Sequence, residues 1–306
     1  MPLRLVGHVD LPAHVGSGGF DHAAVHAATG HVYVAHTAND AVDVFEPASA
    51  QYLYSVPDLA AVAGALVSDE SQLVFTSNRG ENTIGVFAPG PDPKVTKIAV
   101  GVRPNGLAYD AGRRLLLAAN VGDPAVPRSF TLSMVDLDAG AMRASIEVPG
   151  RTRWTVFDGE AQAFYVNIMH PSQIVVVDAR QPDRIARTMP VPADGAHGLD
   201  FDPATRRLFC ACDAGVLITF DAGTGEVLNE NKLSGVPDVV WFNPKRRQLY
   251  VAVGDPGVVD VFDTTSMKSL GAVATEKGAH TTAFPLSGES LIAFLPASHR
   301  AALYST

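Results

Sequence analysis

A pattern of two apolar strands joined by a polar turn recurs along this chain, and this recurrence limits the possible folds more than any other feature. In the copy at residues 197–213, a polar residue opens an apolar strand, a turn follows at 202–204, and a second apolar strand returns. The opening residues of the seven copies lie 41 to 48 residues apart, at His22, Ala63, Asn105, Arg153, His197, Asp238 and His280. Seven units of this length, each with three or four short strands, indicate a β-propeller.

Each copy continues into a third strand, and six of the seven continue into a fourth that leads to the next copy. The last copy ends at Thr306 after three strands, so we predict that residues 3–10 supply its missing outer strand. This pairing closes the ring. The fold class predicted is all-β: a seven-bladed β-propeller with four-stranded antiparallel blades, forming a single domain over residues 1–306 with turns at 110–112, 202–204 and 285–288.

The repeats also carry a family signature. Arg103-Pro104-Asn105-Gly106-Leu107-Ala108 followed by Leu117-Ala118-Ala119-Asn120 resembles the YVTN (YncE-like) propeller repeat. Tyr165-Val166-Asn167 and the third-strand ending Val175-Val176-Val177-Asp178 match that repeat in part. The resemblance covers the whole chain and implies the architecture, but it implies little about function because propellers carry many unrelated activities.

Charge and composition exclude several classes of partner. The net charge of −9 argues against a nucleic-acid backbone or an anionic membrane surface, both of which attract basic patches. No apolar run approaches the roughly 18 residues of a membrane span. The start of the chain has no signal-peptide pattern, so a cytoplasmic location is expected if Met1 is native, and a periplasmic one if a signal was removed. Two cysteines, Cys210 and Cys212, are too few for a disulfide framework and are expected to be buried.

Polar residues gather at one predicted end of the ring. In a propeller the first strand of each blade lines the central channel, and the second strand returns to the end where the first began. Seven of the ten histidines map to this channel mouth: His14, His22, His36, His170, His197, His280 and His299.

Four of the opening residues suggest a metal site. His22, His197, Asp238 and His280 open contiguous blades, and three imidazoles with a carboxylate suit a divalent transition metal, with Zn, Cu, Ni and Fe not distinguished. Asp21 is placed to orient an imidazole. Two alternatives stay open: a metal-free cluster of titratable histidines, and polar groups that simply face channel water.

The opposite side of the mouth suggests binding of a small anionic or polar molecule. Asn105, Asn120, Arg153 and Trp154 are the predicted substrate-binding residues, since Arg153 can hold a carboxylate or phosphate bidentately and Trp154 can form an apolar wall. The alternative is that Trp154 packs between blades and Arg153 pairs with an aspartate of the mouth.

Two function classes follow. The first is a metal-dependent hydrolase, isomerase or lyase at the mouth, by analogy with propeller lactonases and lyases, with His36, His170 or His299 as the base. The second is a protein-interaction scaffold with an inert channel, which should expose an apolar patch. Residues 14–20 are expected to form a flexible crossover over the mouth.

Overall fold

The strands of the chain form seven four-stranded antiparallel sheets in the computed structural model, which describes residues 3–285 and 288–306. The predicted all-β, seven-bladed propeller is therefore confirmed. Two parts of the sequence-based expectations lie outside the described residues: Met1, on which the expected location depends, and Leu286 and Ser287 of the predicted turn at 285–288.

Strand β1 (Arg4–Asp10) belongs to the last blade, and the first three blades follow it along the chain. Blade 1 consists of β2 (Phe20–Val25), β3 (Val32–His36), β4 (Ala41–Glu46) and β5 (Gln51–Val56). Blade 2 consists of β6 (Val62–Ser68), β7 (Leu73–Asn78), β8 (Thr83–Phe87) and β9 (Thr96–Ala99). Blade 3 consists of β10 (Pro104–Asp110), β11 (Leu115–Asn120), β12 (Thr131–Asp136) and β13 (Ala141–Glu147).

The remaining blades follow the same plan. Blade 4 consists of β14 (Thr152–Asp158), β15 (Ala163–Ile168), β16 (Gln173–Asp178) and β17 (Arg187–Pro190). Blade 5 consists of β18 (Ala196–Asp202), β19 (Arg207–Cys212), β20 (Val216–Asp221) and β21 (Val227–Lys232). Blade 6 consists of β22 (Val236–Asn243), β23 (Gln248–Asp255), β24 (Val258–Asp263) and β25 (Lys268–Ala274). Blade 7 consists of β26 (Thr282–Ala283), β27 (Ser290–Leu295), β28 (Arg300–Ser305) and β1.

The N-terminal strand closes the ring as predicted. Strand β1 pairs antiparallel with β28, with Val9 opposite Ala301 and Asp10 opposite Arg300. The order β1-β28-β27-β26 makes β1 the outermost strand of blade 7. The strand begins at Arg4, one residue later than the predicted 3–10. Because its partner strand comes from the other end of the chain, the last blade is complete only when both termini are in place.

The core consists of apolar clusters between blades. The described residues form seven such clusters, one at each junction of neighbouring blades. Strand β11 is buried along its whole length because both of its faces pack on other blades, whereas the outer strand β13 is largely exposed. Cys210 and Cys212 are both fully buried, as expected, in the cluster between blades 4 and 5.

The opening residues stand out from the regular ladder. In blades 1 to 6 the register between the first and second strands shifts around the opening residue, as between Pro104 and Leu107, which flank Asn105, and between Ala196 and Gly198, which flank His197. Such irregularities take a residue out of the ladder and redirect its side chain. The bulges therefore place the variable residues of the repeat at the channel.

A glycine after the opening residue brings neighbouring blades close together. A Cβ atom added at Gly106 would lie 2.7 Å from the carbonyl oxygen of Arg153, and one at Gly198 would lie 2.0 Å from that of Asp238. Real Cβ atoms do not approach oxygen so closely, so the opening residues of adjacent blades can sit side by side only because these positions lack a side chain.

Candidate functional site: the channel mouth

Seven of the predicted site residues line one small cavity at the end of the channel where the first strands begin. The cavity has a volume of about 130 Å³, and we call it the mouth cavity. The predicted residues that line it are His22, Asn105, Arg153, Trp154, His197, Asp238 and His280. Three further charged residues complete its wall: Asp21, Arg79 and Arg151. The opening residues of six different blades thus line the same cavity, which sequence spacing could not establish.

His197 lies between two carboxylates. Its Nδ1 atom is 2.6 Å from Oδ1 of Asp213, and its Nε2 atom is 3.3 Å from Oδ1 of Asp238. The second oxygen of Asp238 lies 4.0 Å from Nε2 of His280. The Nδ1 atom of His280 donates to the carbonyl oxygen of Gly278, at 2.7 Å, so the unprotonated nitrogen of a neutral His280 is Nε2.

These contacts set the charge on His197. Burial alone would lower the pKa of His197, but the charges and hydrogen bonds of Asp238 and Asp213 outweigh burial and raise it to about 9. Burial alone would raise the pKa of Asp238, yet His197 and His280 hold it well below its usual range. The positive charge of His197 therefore lies between the negative charges of Asp213 and Asp238.

We expect the imidazole of His197 to carry protons on both nitrogens at pH 7.5, with a titration midpoint near pH 9 because two carboxylates face it. Two-dimensional ¹⁵N–¹H NMR of histidine-labelled, metal-free protein measures this directly. The signal is assigned by its absence from the spectrum of His197→Gln. A midpoint below pH 7 would contradict the geometry described above.

Guanidinium groups occupy the other wall of the mouth cavity. Arg79 donates to Oδ1 of Asn105, at 2.8 Å, and lies 3.3 Å from Oδ2 of Asp21. Arg153 lies 3.6 Å from Oδ2 of Asp213, so the expected pairing with an aspartate of the mouth is present. The Nε atoms of Arg79 and Arg153 are buried and have no hydrogen-bond partner among the described residues.

The three arginines repel one another. Partial burial and the positive charges of Arg153, Arg79 and Arg103 lower the pKa of Arg151. With His197 protonated, four positive groups line the mouth cavity, against the carboxylates of Asp21 and Asp238 in its wall and that of Asp213, which contacts Arg153 and His197. The cavity is therefore positive within a chain whose net charge is negative.

His22 and Trp154 form the floor of the mouth cavity. Their ring centroids lie 4.0 Å apart, and Trp154 meets Trp241 edge to face at 6.3 Å. Trp154 also packs against the cluster between blades 4 and 5, so it is both a wall of the cavity and an inter-blade contact. Burial lowers the pKa of His22 despite the nearby carboxylates of Asp21 and Asp238, so His22 is neutral at physiological pH.

Four predicted site residues lie elsewhere. Asn120 is fully buried in blade 3 and donates to the hydroxyl groups of Thr131 and Ser133. Its side chain is used to hold strand β12 instead of facing the channel. His170 is exposed in the turn between β15 and β16, before Pro171.

The other two candidate bases, His36 and His299, belong to a second histidine cluster at the junction of blades 7 and 1. The Nδ1 atom of His36 is 2.6 Å from Oδ2 of Asp43, and its Nε2 atom is 2.6 Å from Nδ1 of His14. The backbone N–H of His14 donates to Nδ1 of His299 at 3.4 Å. This junction cluster anchors the crossover between β1 and β2, whose backbone is also bonded to Ala38 and Asn39.

The predicted metal ligands share the cavity without forming a coordination shell. His22, His197, Asp238 and His280 all line it. Over residues 3–285 and 288–306, no group of three or more His, Cys, Asp or Glu side chains is arranged to hold a metal ion. The metal site stays a prediction.

Sequence reasoning missed Arg79 and Arg151. Arg79 follows the last residue of β7, and Arg151 precedes the first residue of β14. Both positions lie one residue outside the strands that reach the mouth. A search of the residues flanking these strands, in addition to the opening residues themselves, would have found them.

The fold and the mouth cavity define a seven-bladed β-propeller with an arginine- and histidine-lined channel mouth. No family model matches the sequence, and no curated protein matches it. Among solved structures, a chain from the "Crystal Structure of Mitotic Checkpoint Complex" is similar, with a TM-score of 0.82 and 12% identity, over 99% of this chain and 91% of that one. At this identity the similarity shows the propeller fold alone. None of the helical residues described is part of a helix that could span a membrane.

Proposed function

We propose that this protein binds a small anionic molecule in the mouth cavity. The observation that carries the proposal is the convergence of Arg79, Arg151 and Arg153 on one cavity. The buried Nε atoms of Arg79 and Arg153 have no partner in the part of the chain that the structure describes. Guanidinium groups bind carboxylates and phosphates with paired, charge-assisted hydrogen bonds. A bound anion would supply the missing acceptors and relieve the repulsion among the three arginines.

The size of the cavity limits the ligand. Its volume of about 130 Å³ lies well below the roughly 300–1,000 Å³ of pockets for drug-sized molecules. This space suits a phosphate-sized ion or a short dicarboxylate. Among the described residues, Trp154 is the one aromatic side chain other than the histidines in the wall, so the ligand is expected to be mostly polar.

Hydrolase, isomerase or lyase chemistry at this site would use His280 as the base. Its Nε2 atom is the acceptor nitrogen, and its side chain is 40% exposed at the mouth. The earlier candidates His36, His170 and His299 are absent from the wall of the mouth cavity.

A divalent transition metal bound by His22, His197, Asp238 and His280 is a second candidate. The observation that favours it is that all four side chains line the same cavity. Such an ion would act as a Lewis acid toward a bound anion. It requires His197 to give up its Nε2 proton and the contact of Nε2 with Asp238 to rearrange, whereas the Nδ1–H of His197 keeps its hydrogen bond with Asp213.

The experiment titrates inorganic phosphate, succinate and, separately, ZnCl₂, NiCl₂, CuCl₂ and Fe(II) into untagged protein by calorimetry. We expect at least one anion to bind with no added metal, and Arg153→Gln to weaken it about 10- to 100-fold, the loss of one to two charge-assisted hydrogen bonds. Arg128→Gln is the matched control, because Arg128 is 81% exposed and paired with Glu147 outside the mouth cavity.

Each arm of the experiment has a decisive outcome. Equal loss of anion affinity in Arg153→Gln and Arg128→Gln, or no binding of either anion at 10 mM, contradicts the anion site. Stoichiometric metal binding that is lost in the His197→Ala, His280→Ala double variant supports the metal site. The absence of both anion binding and metal binding would favour the interaction scaffold. Membership of the YncE-like repeat family is compatible with all of these outcomes.

A further inference from the structure

The far half of the channel holds a second and larger cavity. It has a volume of about 400 Å³, within the range of small-molecule sites, and we call it the far cavity. His22 and Trp154 line both cavities, and their ring contact at 4.0 Å separates the two. Side chains of the first strands make its wall largely apolar and aromatic, among them Leu66, Leu107, Tyr109, Trp154, Phe157 and Trp241.

The charged groups of the far cavity are acidic. Asp69 and Glu70 lie in the turn after β6, and Asp200 lies within strand β18. Asp69 lies 3.6 Å from Nε2 of His26 and accepts the backbone N–H of Ala27. Within the described ranges, 3–285 and 288–306, no Lys or Arg side chain forms an ion pair with any of the three, and no Lys or Arg lines the cavity. The far cavity thus has the opposite charge to the mouth cavity.

Asp200 is held in a fixed orientation. Its two oxygens accept the backbone N–H groups of Phe201, at 2.7 Å, and Phe242, at 2.6 Å. Burial raises its pKa to about 7 despite these hydrogen bonds. Trp241 is fixed as well, because its indole N–H donates to the carbonyl oxygen of Thr282 at 3.0 Å. A preformed arrangement of this kind lowers the entropy cost of binding.

We infer that the far cavity is a binding site for a small organic cation, an ammonium group carried on an apolar body. Aromatic faces attract cations, most strongly when the site is shielded from water, and Trp is the best of them. The carboxylates of Asp69, Glu70 and Asp200 add attraction of the same sign, while the apolar wall accommodates the body of the ligand. An anion would face three carboxylates, and a neutral molecule would gain only the apolar contact.

The chain itself reports on this site. It contains two tryptophans, Trp154 and Trp241, and both line the far cavity. All tryptophan emission therefore comes from its walls. The probe is benzyltrimethylammonium, compared with benzyl alcohol as a neutral analogue and benzoate as an anionic one.

We expect saturable quenching by benzyltrimethylammonium at pH 8, with at least tenfold weaker binding of benzyl alcohol and benzoate. Glu70→Lys should weaken the cation about tenfold or more, because it reverses a charge at the exposed edge of the cavity without disturbing the core. Glu226→Lys is the matched control, an exposed glutamate in the turn before β21 of blade 5. Arg153→Gln, which alters the mouth cavity, should leave cation affinity unchanged.

The inference would be overturned by no saturable quenching by 10 mM benzyltrimethylammonium, by equal affinity for the three probes, or by equal loss in Glu70→Lys and Glu226→Lys. Loss of cation binding in Arg153→Gln with retention in Glu70→Lys would assign the cation to the mouth cavity, which also overturns it.

Discussion

Val9→Asp is expected to destabilise the protein by about 3–5 kcal/mol, because it places a carboxylate in the buried junction between blades 7 and 1, where β1 closes the ring. Val9 is fully buried on β1 and packs in the cluster between blades 7 and 1. Its strand is joined to the last blade by pairing with β28 alone. A carboxylate at this position has no described cationic partner in that cluster. Opening this junction would also expose the inner face of blade 1.

The measurement is urea unfolding at pH 7.5, followed by far-ultraviolet circular dichroism. The matched control is Val6→Asp, which changes the same residue type on the same strand at a position that is 54% exposed. We expect that control to remain within about 0.5 kcal/mol of the parent protein. Equal effects of the two substitutions would mean that β1 is not a required part of the ring.

Asp43→Leu is expected to cost about 3–5 kcal/mol, because it removes the acceptor of a buried hydrogen-bond network. Both Asp43 and His36 are fully buried. One carboxyl oxygen of Asp43 accepts from His36 and the other accepts from Ser55, at 2.5 Å. Without the carboxyl group, the buried Nδ1–H of His36 is left unpaired, and the hydrogen bond between Nε2 of His36 and Nδ1 of His14 in the crossover loses its support. Ser55 is only partly buried and keeps its contact with the hydroxyl group of Tyr52.

Asp10→Leu is the control for Asp43→Leu. Asp10 makes an equally short ion pair with Arg300, at 2.7 Å, but its side chain is 82% exposed. Solvent-exposed pairs contribute roughly 0–1 kcal/mol, so the two substitutions should differ severalfold in urea unfolding. Similar losses for both would show that burial does not set the strength of this network. Retention of full stability by Asp43→Leu would contradict the hydrogen bonds assigned to His36.

Much of the site was predictable because aligning the repeats shows which residues occupy equivalent positions in the blades. Once the copies are aligned, His22, Asn105, Arg153, His197, Asp238 and His280 occupy equivalent positions, and equivalent positions in a ring meet at its axis. The bulges found at the positions in blades 1 to 6 explain why those side chains leave the ladder and reach the channel, whereas His280 precedes the short strand β26 and lies outside the ladder.

The last residues of the second strands are not placed correctly by the alignment alone, because equivalent positions there point to different surroundings. Asn120 and His36 end equivalent strands, but the amide nitrogen of the first donates to hydroxyl groups within its own blade and the second is bonded to the buried carboxyl group of Asp43. Sequence position places both at the same end of a blade. Which way each side chain turns depends on the polar partners within reach, and those partners come from later strands.

The sequence by itself determined the number of blades, the antiparallel sheets, the closure by the N-terminal strand and the set of opening residues, because each follows from a periodic pattern of apolar and turn residues. Only the tertiary structure decided that Arg79 and Arg151 join the openings in a positive mouth cavity, and that His22 and Trp154 divide it from an acidic far cavity. The physical reason is distance: these electrostatic contacts link residues from different blades, and no repeat pattern records how their side chains meet at the axis.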